Sequence, residues 1–386
     1  MSLGRNTGMR LHVSVAAGFL AATLPAAGCG DRGDGVSIPG AIQNVAAIDL
    51  PPQALTSRWL VPPRAALEPP LAAPVAIDVN DALGRRYLLE LQPPELRVYD
   101  LASGGFVKKM GRKGDGPGEY RFPVDLAVSS SGTAAVLSMS GRVAFWTPEG
   151  TLAGEVRAGT GLATDLMAVR GDTFYVKSDR FPPHDYSEFR VVTPDTALAK
   201  ARFRDEELAG LREQGSSANN HSYAVAATPT GDLLLSPPGP DYLIFRVGTD
   251  GKLSQTLSRP GIPPLSRSEE EMEVVRERVR KGFAAAGRDA PQNLRVPLYR
   301  PHVARIAVSP DGSIWALTQR GDESTTIIDH FSPGGSFLAS YSLALAVGDL
   351  AVGERSIYLL VRGEYDVTGI AVVDRPRTIG RRAATR

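Results

Sequence analysis

Charged and imidazole side chains recur at fixed distances ahead of short apolar triplets. The triplets are Leu126-Ala127-Val128, Met167-Ala168-Val169, Val225-Ala226-Ala227, Ile306-Ala307-Val308 and Leu350-Ala351-Val352. One residue before them stand Asp125, Leu166, Ala224, Arg305 and Asp349; four residues before, His221 and His302 share a register; and Asp165 lies alongside. If the triplets are equivalent strands, these side chains converge, with His184 reaching the same side from a long loop. Imidazoles and carboxylates together are donors for a divalent cation, and Arg305 beside them would steer an anionic substrate. That is the equipment of a metal-assisted lyase or lactonase. A polar mouth that binds a ligand without catalysis uses the same residues, and it is the preferred reading, because no local His-x-x-x-His pair fixes a metal geometry. No catalytic residue, metal or other cofactor is therefore assigned. The Gly-x-Ser-x-Gly elbow and the calcium loop are also missing, and His330, inside a strand, reads as structural.

The elements that would position these residues are short strands joined by tight turns. "RIAVSPDGSIWAL" followed by "IIDHFSPGGSFLASY" shows the unit best: Pro at the second turn position presets φ, and Gly closes the turn. First-hairpin turns occur at 80–84, 129–132, 170–172, 228–231, 309–312 and 353–355, and second-hairpin turns at 101–104, 147–150, 193–196, 248–251 and 332–335. Six units of four strands, the last lacking its outer strand, predict an all-β, six-bladed β-propeller. An N-terminal strand, "VAAIDL" (45–50) or "TSRWLV" (56–61), would complete the last blade and close the ring. Closure of this kind places both hairpin turns on one face. The long loops, the blade-to-blade crossovers and the helices fall on the other, where a ligand is expected.

Two segments interrupt the period. "SRSEEEMEVVRERVRKGF" (266–283), part of an insertion near 266–287, predicts an amphipathic helix. It has a Ser268–Glu271 capping box, acids in its first turn, bases in its last, and Met272, Val275, Val279 and Phe283 on one face. "DEELAGLREQG" (205–215) is a shorter one, and both are expected to pack onto the propeller.

The glycine-rich stretch "GRKGDGPGEYRFP" (111–123) invites a phosphate-cradle reading. A cradle needs a helix after it, whose N-terminal amides hold the phosphate; a strand follows instead, and no Gly-Lys-Ser/Thr ending is present. Gly111, Gly114, Gly116, Gly118, Tyr120 and Pro123, with Leu126-Ala127-Val128, Gly132, "GRV" (141–143) and Gly150, resemble one NHL-type propeller repeat. "GRKGDGPGEY" is similar to the signature of bacterial six-bladed β-propeller lipoproteins, a group without a settled activity. Ser138 and Gly141 stand where that repeat often carries Asp and Asn, so no ligand contact is carried over. The stretch is expected to be structural.

The N-terminus supplies an address. Arg5 and Arg10 precede the apolar run Val13–Leu24, whose twelve residues are too few to span a bilayer. "LPAAGCGD" then places Cys29, the single cysteine, after small residues. This resembles a bacterial lipobox, with Ala26 where Leu is preferred, and implies lipidation of Cys29. The expected organisation is a signal peptide over 1–28, a tether with a ring-closing strand over 29–61, the propeller over 62–374 and a basic tail over 375–386. "RGD" at 32–34 falls in the tether and reads as a chance occurrence. A net charge of +1 without a basic stripe argues against nucleic acid. The chain is thus expected to be an exported, membrane-anchored monomer of a bacterial envelope that binds a protein, peptide or glycan.

Overall fold

The structure is a computed structural model and describes residues 41–43, 51–61, 70–159, 162–180, 186–195, 200–204, 224–285, 296, 298–322, 324–362 and 368–376. Its strands form six sheets, each built on an antiparallel set of four, two of them extended by a fifth, parallel strand, with a separate parallel pair between the first two. Blade 1 comprises Pro74–Asn80, Arg85–Leu91, Pro94–Asp100 and Phe106–Met110. Blades 2 to 5 begin at Pro123–Val128, Leu162–Ala168, Ala224–Ala227 and Val303–Val308 and run outward in the same way. Blade 6 contains Val347–Val352, Ser356–Arg362 and Thr368–Asp374, and its fourth strand is the N-terminal Ser57–Val61, antiparallel to Thr368–Asp374.

Each blade's first strand packs against the first strands of the blades on either side, the last against the first, so the ring is closed around an axis. The core is correspondingly divided into slabs between neighbouring blades. Because side chains alternate across a strand, Leu89 packs towards blade 2 while Leu88 packs towards blade 6. The hairpin turns behave as their composition dictates. Gly132, Gly231, Gly312, Gly150, Gly251 and Gly335 each donate to the carbonyl three residues back at 2.8–3.0 Å, with φ between +79° and +94°. An L side chain disfavours that conformation, which is why glycine ends these turns.

The ring-closing strand belongs to "TSRWLV"; "VAAIDL" lies outside the described residues. Two further pieces of the segment read as a tether also pair with the propeller. Ala41–Gln43 runs parallel to the outer strand of blade 4, and Gln53–Ala54 runs parallel to the outer strand of blade 5. The described pieces 41–43, 53–54 and 57–61 therefore lie on the outer edges of blades 4, 5 and 6 in turn.

The helix Glu269–Ala285 starts with a complete capping box: the Ser268 amide donates to Glu271 Oε2 at 2.8 Å, and the Glu271 amide donates to Ser268 Oγ at 3.1 Å. It runs past the expected end, so its last turn carries no base. Met272 and Val275 are only half-buried and Val274 is exposed, which makes its packing shallower than expected. The segment 205–215 and the side chains of Val279 and Phe283 lie outside the described residues.

The glycine-rich crossover is a folded joint between blades 1 and 2. Arg112–Lys113 pairs in parallel with Glu119–Tyr120, and Glu119 binds Arg112 Nε at 2.8 Å and the Gly116 amide at 2.9 Å. The Gly118 amide donates to Glu155 of blade 2 at 2.8 Å. At Gly111, with φ +74°, a methyl group would overlap the buried Tyr120 ring.

Candidate functional site

The axis is lined by the first strands, and a shared irregularity aims their side chains. The register shifts by one residue at Pro74/Ala76, Pro123/Asp125, Ala163/Asp165, Val303/Arg305 and Val347/Asp349. A bulge of this kind bends the strand and re-aims the next side chain. The equivalent positions after it are therefore Ala76, Asp125, Asp165, Arg305 and Asp349. In blade 3 this corrects the sequence alignment by one residue. Leu166, expected in the register, instead packs in the slab between blades 2 and 3, equivalent to Leu126, and Asp165 takes the axial place.

Arg305 extends from blade 5 between two carboxylates: Nη1 is 3.8 Å from Asp165 Oδ1, and Nε is 3.8 Å from Asp349 Oδ1. These separations exceed a hydrogen bond, and Arg305 makes no hydrogen bond to protein among the described residues. Its side chain is 48% exposed. Burial opposes its charge, but Asp349, Asp165 and Asp125 outweigh that and hold its pKa above the usual value. Behind Asp165, Lys177 is buried with Nζ 3.5 Å from Asp165, 2.8 Å from Asp179 and 3.1 Å from Thr164 Oγ1. Burial works against that ammonium too, and Asp179 and Asp165 more than compensate.

The remaining axial carboxylates join blades together. Asp125 accepts from its neighbour Leu126 at 2.9 Å and from Leu166 of blade 3 at 2.7 Å. Asp349 of blade 6 accepts from the Ile77 amide of blade 1 at 3.2 Å. Asp78, two residues along from the bulge position of blade 1, accepts from Val79 at 2.8 Å and from Val128 of blade 2 at 2.7 Å. Burial raises all three pKa values. Asp78 rises to about 7 against the two amide bonds, and Asp349 rises although Arg305 opposes it. Asp125 is pushed well above the carboxylate range by burial and then by the charge of Asp165.

The other expected ligands are not brought together. His302 lies in the interface between blades 4 and 5, where its buried ring bonds the Pro240 carbonyl through Nε2 at 2.9 Å and packs 5.6 Å from Tyr242. Burial lowers its pKa. It was expected at the channel mouth, but the strand that follows carries it into the blade 4–5 slab instead. His184, His221 and Cys29 lie outside the described residues. His330, expected to be a satisfied structural residue, is buried and stacked 3.8 Å from Trp315, but its ring nitrogens have no hydrogen-bond partner, so it is structural without being satisfied. Among the described residues no group of three His, Cys, Asp or Glu is placed to hold a metal ion. Asp78 and Lys177 were not singled out from sequence. Asp78 itself interrupts the first unit's apolar triplet, Ile77-Asp78-Val79, and so hid that unit from the alignment.

No family model matches the chain. No curated protein matches it either. Among solved structures, it is similar to a member of the DUF4221 family from Bacteroides vulgatus, at 10% identity and a TM-score of 0.53 over 83% of this chain and 97% of that one. It is also similar to a calcium-binding protein, regucalcin, from Agrobacterium tumefaciens, at 11% identity and a TM-score of 0.47 over 84% and 96%. What the chain shares with the DUF4221 member is the fold. The chain is a six-bladed β-propeller, and among the described residues no helix is long and apolar enough to cross a membrane.

Proposed function

We propose that this propeller is an exported, lipid-anchored binding module of the six-bladed lipoprotein type, and that it takes its ligand at the channel mouth around Arg305. The observation that carries the reading is the guanidinium itself, which reaches the channel with its N–H donors unspent and two carboxylates 3.8 Å away. Acceptors and donors side by side suit a ligand whose groups do both, such as the hydroxyls of a glycan or the amides of a peptide. Asp165 and Asp349 flank the guanidinium and Asp125 also acts on it, so an anion gains little there, and the place of a cation between Asp165 and Asp349 is taken by Arg305. The closed ring keeps these groups apart at fixed distances, which lowers the ordering cost of binding.

Calorimetric titration with soluble envelope glycan fragments and peptides tests the reading. At least one probe should bind wild-type protein and bind Arg305→Met about tenfold or more weakly, the loss of one charged hydrogen-bonding group. Equal affinity for both proteins would remove the site. The anchor has a separate check: processing should be blocked by globomycin, and mature protein should carry a diacylglycerol mass at Cys29.

A further inference from the structure

Buried arginines in this fold have partners supplied by the chain. Arg97 sits 2.7 Å from Glu95 and 3.5 Å from Glu90, and Arg259 sits 2.8 Å from Asp329. Arg86 is the exception among them. It lies on the same face of blade 1 as Arg97, turned towards blade 6, and is 1% exposed, yet Nε, Nη1 and Nη2 all lack a hydrogen-bond partner. The ionisable groups acting on it are the phenols of Tyr99, whose ring centroid is 5.1 Å away, and Tyr358 of blade 6. Both phenols are neutral at ordinary pH. Asp81 also acts on Tyr358, but its carboxylate is taken by the Glu354 amide at 2.8 Å and forms no ion pair with Arg86. Arg58, on the ring-closing strand, adds a second positive charge near Tyr358.

An arginine cannot escape the penalty by losing its proton, and a cation–π contact of about 1–2 kcal/mol does not offset an uncompensated buried charge costing several. No described residue supplies the counter-charge, which leaves room for one from elsewhere. We propose that the seam between blades 1 and 6 holds a small monovalent anion of the halide class beside Arg86, locking the interface at which the N-terminal strand closes the ring. The apolar side chains that share this seam, Leu88, Ile370 and Val372 among them, are fully buried, which suits a small, weakly hydrated anion better than a phosphate.

The test uses the full chain and two readouts. Crystals grown in bromide should show an anomalous peak beside Arg86. At constant ionic strength the unfolding midpoint should rise by roughly 2–4 °C in chloride or bromide over gluconate, as saturation of a native-state site requires. Arg86→Met should abolish the halide dependence. An ordered water with no bromide signal at Arg86, or identical midpoints in chloride and gluconate, would overturn the proposal. The bromide measurement needs only wild-type protein, so it stands even if the variant does not fold.

Discussion

The two arcs of the ring are held together by different means. From blade 6 through blades 1 and 2 to blade 3, neighbouring first strands are stapled at the axis by Asp349, Asp78 and Asp125, each accepting an amide from the next blade. Around blades 4 and 5 no such staple occurs among the described residues. There the N-terminal chain pairs along the outer edges instead, at Ala41–Gln43 and Gln53–Ala54. Blades 4 and 5 are also tied towards the rim, by Arg259 to Asp329 at 2.8 Å and by Gln255 to the Gly334 carbonyl at 3.0 Å. The contrast separates carboxylates committed to the scaffold from groups free to meet a ligand. Asp125 and Asp78 belong to the first kind and Arg305, rooted in the arc without staples, to the second, while Asp349 staples with Oδ2 and faces Arg305 with Oδ1.

The largest effect should come from the closing strand. A chain beginning at residue 62 leaves the Thr368–Asp374 edge unpaired and Ile370 and Val372 uncovered, and is expected to aggregate or unfold without a cooperative transition. A chain beginning at residue 56 keeps that strand and loses, among the described residues, the outer pairing of blades 4 and 5. It also loses the partly buried Leu55, and should remain cooperative while losing about 1–3 kcal/mol by urea unfolding, the worth of a few net hydrogen bonds and one half-buried side chain. Similar outcomes for the two truncations would show that the outer pairing, and not strand closure, completes the ring.

Breaking a staple comes next. Asp125→Ala strips the acceptors from two amides in different blades, and at about 1–2 kcal/mol for each unsatisfied donor it should lower stability by roughly 2–4 kcal/mol in the same assay. A change below about 0.5 kcal/mol would mean that channel water replaces the carboxylate and that the staple is incidental.

The staples also impose a pH dependence. Folded Asp78 keeps its proton up to about pH 7, whereas in the unfolded chain a carboxyl has lost it by about pH 5. The native state then binds more protons, so this contribution to stability is complete in acid and is lost as pH rises through 7. Urea midpoints should fall across that range, with Asp125 and Asp349 acting in the same direction. Asp78→Ala should flatten the slope. A midpoint that climbs with pH would contradict the burial-driven rise.

Much of the scaffold was legible in sequence because its signals are local. Ser-Pro-Asp-Gly must turn, a Ser268–Glu271 pair must cap, and an unfinished last sheet needs a strand from elsewhere. The axial residue of blade 3 was harder to read, although its bulge is the one the other blades share. Met167-Ala168-Val169 mimics the triplet because Val169 is apolar where blades 2 and 5 carry Ser129 and Ser309, and Leu166-Met167-Ala168 is the true counterpart. His302 failed for the complementary reason: equal spacing from a triplet fixes a position along the chain, not the side of the strand from which the ring departs. The parallel pairings at 41–43 and 53–54 are too short to form a pattern.

The smallest stability effect is the most informative for function. Arg305→Met removes a guanidinium that is 48% exposed and makes no direct hydrogen bond, so its solvent-screened pairs should be worth under about 1 kcal/mol. The loss should still carry a sign. Without the positive charge, Asp349 and Asp125 are driven further above the carboxylate range, and the variant should be relatively weaker at pH 8 than at pH 6. If Arg305→Met costs as much as Asp125→Ala, the guanidinium is a structural counterion and the free arc has no free residue. If it costs little and abolishes ligand binding, the two arcs divide support from recognition, since a group that contributes little to the fold keeps its donors available for a ligand.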